Sequence, residues 1–267
     1  MTYKNIFSLK NKTVVLTGAS GYLGGFFANA LADFGADLAL IDIEEKRLAS
    51  IKNKINKLSS VKVKYYCCDI SNENKVNSIV NEIHNDFKKV DVLINNAQGS
   101  DIYKPFEECT LMEWKKTTSV NEEGIFLISQ SIGKIMSKQL SGGSIIMISS
   151  IYGILGPDQR IYENSSFKNM RMGSTAVYSY TKAGIIGLTK YLSTYWSKHS
   201  INVNTITPGG IESSQNDTFK KNYSQRVPLN RMGRPEELIG GIIFLSSDAS
   251  SYITGQNLII DGGLSAW

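Results

Sequence analysis

Tyr178 and Lys182 stand four residues apart at the start of a stretch with helical spacing, which puts both side chains on one face. A lysine so placed can lower the pKa of a phenol, ordinarily about 10, and let it exchange a proton with an alcohol or carbonyl near neutral pH. Such pairs are also common on plain surface helices, so the chemistry depends on what accompanies this one. Thr17-Gly18-Ala19-Ser20-Gly21-Tyr22-Leu23-Gly24 joins the first apolar run to the first helical stretch. Glycines there permit a tight turn and close approach of the backbone to a pyrophosphate, and the helix start supplies N–H groups and a positive dipole end. A purely structural turn is the alternative. Asp42 follows Gly24 by eighteen residues and ends Leu-Ala-Leu-Ile-Asp, a spacing that fits the carboxylate binding adenosine ribose hydroxyls. It also suits an N-cap for a helix beginning near Glu44, and the two roles can coexist. Asn95-Asn96-Ala97 places small and amide groups where a dinucleotide would cross the sheet edge.

Strand-length apolar runs recur at 13–17, 37–41, 61–66, 90–94, 144–148, 201–206 and 257–260. Helical spacing fills 22–34, 44–58, 73–87, 111–139, 177–198 and 235–246 between them. This alternation predicts an α/β fold: a doubly wound parallel sheet of about seven strands, buried on both faces by helices. No linker or repeat divides the chain, so one domain over 1–267 is expected. Two segments break the rhythm, 152–175 and 212–233. Both follow strands at their carboxyl ends, where such sheets place a ligand crevice.

With 267 residues, 42% of them hydrophobic and 20% charged, the chain can bury an extensive core. Lys and Arg number 29 against 24 Asp and Glu, but the basic residues are scattered, which argues against a nucleic-acid partner. No apolar run approaches the length of a membrane span or a signal peptide, so no membrane partner and a cytoplasmic location are expected. Cys67, Cys68 and Cys109 show no metal-ligand spacing and read as reduced thiols; no metal is expected.

Taken together, the glycine turn, the strand ending Ser149-Ser150, the Val120-Asn121-Glu122-Glu123-Gly124 stretch and the Tyr178/Lys182 pair resemble the classical short-chain dehydrogenase/reductase family over essentially the whole chain. The resemblance implies a single Rossmann-type domain, with NAD as cofactor in keeping with Asp42. It implies alcohol/carbonyl oxidoreduction on a small-molecule substrate, with a sugar or sugar-derived compound as the expected one. It also implies a homotetramer, or a homodimer, through helices like 111–139 and 177–198. Carried over by residue, Asn121, Ser150, Tyr178 and Lys182 match the catalytic tetrad. Tyr178 would be the acid/base, Ser150 would bond the substrate oxygen, Lys182 would bind the nicotinamide ribose, and Asn121 would hold a relay water through its helix backbone. Gly18, Ser20, Gly21, Tyr22, Leu23, Gly24, Asp42, Asp69, Ile70, Asn96, Ala97, Pro208, Gly209, Ile211 and Ser213 match the cofactor positions, with Tyr178 and Lys182.

Three departures stand out. Tyr22 occupies the place where the classical subgroup usually has glycine, a spacing similar to that of the extended subgroup of sugar-nucleotide epimerases and dehydratases. Gln98 replaces the glycine after Asn-Asn-Ala. Twenty-eight residues separate Ser150 from Tyr178, roughly twice the separation usual in the family, so 152–175 contains an insertion. Its 156–164 stretch resembles a subset of these enzymes in bacterial surface-glycan pathways, including flagellin modification and legionaminic-acid-type synthesis. Gln98, Arg160, Tyr162 and Glu163 are therefore the candidate substrate residues, and 212–233 a candidate lid. A surface or subunit-contact loop is the plainer reading of the insertion. Two rival functions are a 3-oxoacyl-carrier-protein reductase, which would use NADPH and carry a basic docking patch, and a catalytically silent dinucleotide-binding sensor or scaffold, which would have lost tetrad residues.

Overall fold

A computed structural model describes residues 5–99, 103–167, 170–171 and 173–267. The first half is built from β1 (Thr13–Thr17), α1 (Tyr22–Asp33), β2 (Asp37–Asp42), α2 (Glu45–Leu58), β3 (Val63–Cys67) and α3 (Glu73–Phe87). After β4 (Val92–Asn95) come α4 (Leu111–Thr118), a π turn (Ser119–Gly124), α5 (Ile125–Met136) and β5 (Gly143–Ile148). The insertion holds a minimal hairpin, β6 (Ser166–Phe167) with β7 (Met170–Arg171). The chain ends through α6 (Ala176–Tyr195), β8 (Ile201–Pro208), α7 (Asp217–Ser224), α8 (Ile239–Ser246) and β9 (Asn257–Ile260).

Seven strands form one parallel sheet in the order β3-β2-β1-β4-β5-β8-β9. Alternation along β1 shows why the runs are apolar throughout. Val14 and Leu16 face a core with Phe27 and Leu31 of α1 and Ile242 of α8, while Val15 faces a second core with Ile83 of α3 and Ile128 of α5. Strand order reverses between β1 and β4, opening a crevice at their carboxyl ends.

The helix boundaries have local causes. The Asn72 side chain accepts the Lys75 N–H at 3.0 Å to start α3, and Lys88, with φ +67°, ends it in the left-handed region. Thr110 and Glu113 form a reciprocal capping box at α4. The Thr175 hydroxyl accepts the Tyr178 N–H at 3.3 Å, fixing where α6 begins and setting Tyr178 in its first turn.

The expected single helix over 111–139 is interrupted. At Ser119–Gly124 the backbone widens to a π turn, and the buried Asn121 lies within it, bonded to groups outside the helix. The expected helix over 177–198 ends at Tyr195, and 235–246 opens with a 3₁₀ turn, Pro235–Leu238. Among the described residues no helix is long and apolar enough to cross a membrane, and no cluster of His, Cys, Asp and Glu could hold a metal ion.

Candidate active site

The β1–α1 turn is shaped by contacts that leave no room for side chains. Gly18 has φ +64°, and a Cβ there would lie 2.7 Å from the Ala97 Cα; a Cβ on Gly24 would lie 2.0 Å from the Gly18 carbonyl oxygen. Gly21 holds the N-cap position of α1 with no side-chain cap, so the opening N–H groups of the helix remain for a ligand. A bare helix start within a glycine cradle fits a pyrophosphate. The turn is stapled to β4: the Thr17 hydroxyl accepts N–H groups of Asn96 and Ala97, each at 3.1 Å, and the Asn96 amide donates to the carbonyls of Thr17 and Gly18.

Asp42 serves the local role as well. Its carboxylate accepts N–H groups of Ser20 at 2.9 Å, Ile43 at 2.7 Å and Glu44 at 3.2 Å, bracing the turn against the start of α2. Asp69, exposed beyond β3, accepts the N–H and hydroxyl of Ser71, and Ile70 is buried against Gly124 of the π turn.

Beyond β5 the two serines separate by bonding. The Ser149 hydroxyl donates to the Lys182 carbonyl at 2.7 Å, which commits its proton to the fold. Ser150 Oγ instead accepts the Tyr152 N–H at 3.2 Å, leaving its own proton to be donated into the crevice. Lys182, 3% exposed, donates through Nζ to the Ile148 carbonyl at 2.9 Å and lies 5.7 Å from the Tyr178 ring centroid. Asn121 Oδ1 accepts the Gly99 N–H at 2.8 Å, and its amide donates to Thr181 one residue before Lys182. Gly99, the residue after Gln98, is thereby tied to Asn121.

One cavity of about 400 Å³ is lined by Tyr22, Leu23, Asn96 and Gln98, by Ser150, Tyr178 and Lys182, and by Pro208, Gly209 and Ile211, whereas Asn121, Asp42 and Asp69 lie off its lining. Its remaining lining includes the aromatic residues Tyr152, Tyr162, Phe219 and Tyr223 beside Ser174, Thr175 and Met232. Tyr162 donates to Tyr152 at 2.8 Å, and the Tyr223 hydroxyl accepts the Gly210 N–H. Burial pushes the pKa of all three phenols well above the ordinary value, keeping them neutral. Ile161, Phe219, Tyr223, Val227 and Met232 form a small core that joins the insertion to α7 and the segment after it.

Among the candidate substrate residues, Tyr162 and Gln98 line the cavity, whereas Arg160 and Glu163 are exposed and lie outside its lining. Arg160 grips Asp158 through two bonds of 2.8 Å and holds that carboxyl down at about 2. Ser213 also lies off the lining, donating its N–H to Gln215 Oε1 at 2.6 Å. Gln215 lines the cavity and braces Ile211, a role with no motif to announce it. Tyr152 and Tyr223 were equally silent in the sequence, one beside the serine and one within a charged helix.

Residues 18–265 match a family described as enoyl-(acyl carrier protein) reductase. The chain is 33% identical to a sorbose reductase of Candida albicans, over 97% of this chain and 89% of that one. It is 29% identical to an NADH-dependent L-xylulose reductase of Ambrosiozyma monospora, over 99% of each. The crystal structure of a short-chain dehydrogenase from Leptospira borgpetersenii with bound NAD+ superposes with a TM-score of 0.84 at 35% identity, covering 99% of this chain and 96% of that one.

Proposed function

The chain belongs to the short-chain dehydrogenase/reductase family, and from that premise we propose that Asn121, Ser150, Tyr178 and Lys182 interconvert a secondary alcohol and a carbonyl on an uncharged, polyhydroxylated sugar or polyol. The observation that carries the reading is the convergence of Ser150, Tyr178 and Lys182 in one cavity that three neutral phenols, Tyr152, Tyr162 and Tyr223, also line. The protein is an oxidoreductase, and its cofactor is NAD(H). The glycine cradle, the uncapped start of α1, Asp42 and the Pro208–Ile211 side of the cavity are the groups that would hold it. A bound nicotinamide supplies hydride transfer, chemistry that no side chain here provides.

Tyr178 exchanges the proton. In the reducing direction its phenol protonates the carbonyl oxygen, and in the oxidising direction it takes the hydroxyl proton. Ser150 donates its hydrogen bond to the same oxygen, orienting the carbon. Lys182, fixed to the Ile148 carbonyl, keeps a positive charge beside Tyr178 and favours its ionised form. Asn121 ties the π turn to the loop after β4, and the widened backbone there is suited to holding a water in a relay. Tyr152 and Tyr162 offer substrate hydroxyls a paired donor and acceptor without charge.

The finer organisation follows the same reading. The whole chain acts as one catalytic unit, with 152–175 recognising substrate and 212–233 forming a lid. Exposed Phe126 on α5 and Tyr191 and Tyr195 on α6 border a groove that suits a second copy of the chain, as a homotetramer or homodimer would require. The unpaired Cys67, Cys68 and Cys109 accord with a reducing, cytoplasmic setting. The rival reading as a 3-oxoacyl-carrier-protein reductase is weaker, because Asp42 opposes the 2′-phosphate of NADP. The silent-module reading loses its ground with all four tetrad residues present. Oxidation of pentitols and hexitols, and reduction of the corresponding ketoses, followed by NADH absorbance, tests the assignment. Turnover of acyl thioesters but of no polyol or ketose would overturn it.

A further inference from the structure

Tyr22 stands at the glycine cradle and reaches away from it. Its phenol donates to the Glu212 carbonyl at 2.8 Å, joining the first turn of α1 to the loop that leaves β8. The ring meets Phe26, one helical turn along, edge-on at 5.6 Å. The acceptor is itself held in the lid: the Glu212 N–H donates to the Gly233 carbonyl at 2.8 Å, its carboxylate accepts from Lys220 of α7 at 2.7 Å, and Ile211 pairs with Gly233.

The sheet order gives this bond its meaning. β1 and β8 are separated by β4 and β5, so at a neighbour spacing of about 4.8 Å the arm and loop together bridge roughly 14 Å of sheet edge. Beneath the bridge lie the ends of β4 and β5, which carry Asn96 and Ser150. Tyr22 and Leu23 line one side of the cavity and Gly210 and Ile211 the other. A dinucleotide running from Asp42, at the end of β2, to Lys182, beside the end of β5, has to pass this bridge.

We propose that Tyr22 is a positioning residue for the dinucleotide, its phenol–carbonyl bond latching the 212–233 segment over the bound cofactor and slowing its release. The assignment rests on the reading that NAD(H) occupies this crevice. Glycine at this position could bind a pyrophosphate through its backbone but could not make the latch.

Displacement of NADH by excess NAD+, followed by NADH fluorescence in a stopped-flow instrument, tests it. Tyr22→Phe keeps the ring on Phe26 and deletes only the donor. It should raise the NADH dissociation rate about two- to tenfold, the size of one net hydrogen bond, and raise the KM for NAD+ with it. Lys220→Ala, which loosens the acceptor segment, should accelerate release in the same direction and add less than its full effect on top of Tyr22→Phe. Wild-type dissociation from the Tyr22→Phe protein overturns the latch. So does acceleration by Tyr22→Gly without acceleration by Tyr22→Phe, which would assign the effect to the ring. Failure of the wild-type protein to bind NADH overturns the latch together with the reading it rests on.

Discussion

At the proposed cofactor end of the crevice, the groups on offer are backbone and short side chains set within a few residues of a strand end. Thr17, Asn96 and Asp42 hold a turn whose shape is dictated by what cannot fit between Gly18, Gly24 and Ala97. At the proposed substrate end, the cavity is lined by phenols carried on an insertion and on a short helix, with Tyr223 set in a five-residue core and Tyr162 packed against it. The first end is steric and tolerates almost no substitution. The second is a set of side-chain tips that can be exchanged one at a time. A family can therefore keep its cofactor and change its substrate without disturbing the sheet.

The largest effect expected from probing this contrast lies where the two ends meet. Tyr178→Phe removes the exchangeable proton and keeps the ring, so kcat should fall by about 10²–10⁴ while NADH still binds. Near-normal turnover would place the acid/base elsewhere. Lys182→Met should damage both ends together, lowering kcat and weakening NADH, because the roles proposed for its ammonium lie at the phenol and on the cofactor side alike; loss of only one property would separate the two roles.

A smaller effect belongs to the cofactor end alone. Asp42 would face the 2′-phosphate of NADP, a like-charge contact costing on the order of a few kcal/mol. The kcat/KM ratio should accordingly favour NAD over NADP by about 10² or more, and Asp42→Ala should narrow it. Equal use of both cofactors by the wild-type enzyme would remove Asp42 from the recognition of ribose. At the substrate end, Tyr162→Phe deletes the donor to Tyr152 and should lower kcat/KM for the polyol about tenfold without changing NADH affinity. A parallel loss of NADH affinity would show that the two ends are not separable. Arg160→Ala should have the smallest effect of the series, below that of Tyr162→Phe, since its guanidinium is spent on Asp158 at the surface. An equal or larger loss would return Arg160 to the substrate.

The same contrast explains what the sequence could reveal. The run 13–17 coincides with β1, buried along its whole length, because a strand covered on both faces must be apolar throughout; the run 257–260 coincides with β9, an edge strand that is only partly buried. The turn at Gly18–Gly24 was legible because steric exclusion leaves a compositional mark. Tyr152, Tyr223 and Gln215 left none: a phenol or amide that enters a cavity is indistinguishable in sequence from one on the surface until the chain is folded around it. Arg160 and Glu163 illustrate the converse, since charged side chains in the insertion suggested ligand contacts, yet their place is solvent. Ser149 and Ser150 are alike in type and adjacent in sequence, and only the folded chain gives a physical distinction, the bond that ties Ser149 to the Lys182 carbonyl.

The π turn at Ser119–Gly124 carries a consequence for how this chain can vary. It amounts to one residue more than an α-helix needs over the same stretch, so deleting a single residue there would let α4 and α5 merge into one regular helix. Such a deletion would keep the flanking faces of α4 and α5 in register, because a π turn absorbs its extra residue without rotating its flanks, but it would remove the widened backbone from which Asn121 reaches Gly99 and Thr181. The expected product is a protein that folds, accumulates and binds dinucleotide yet turns over poorly. At this place a frame-preserving deletion is more informative than a substitution, because it removes the geometry and spares every side chain of the tetrad except the orientation of one.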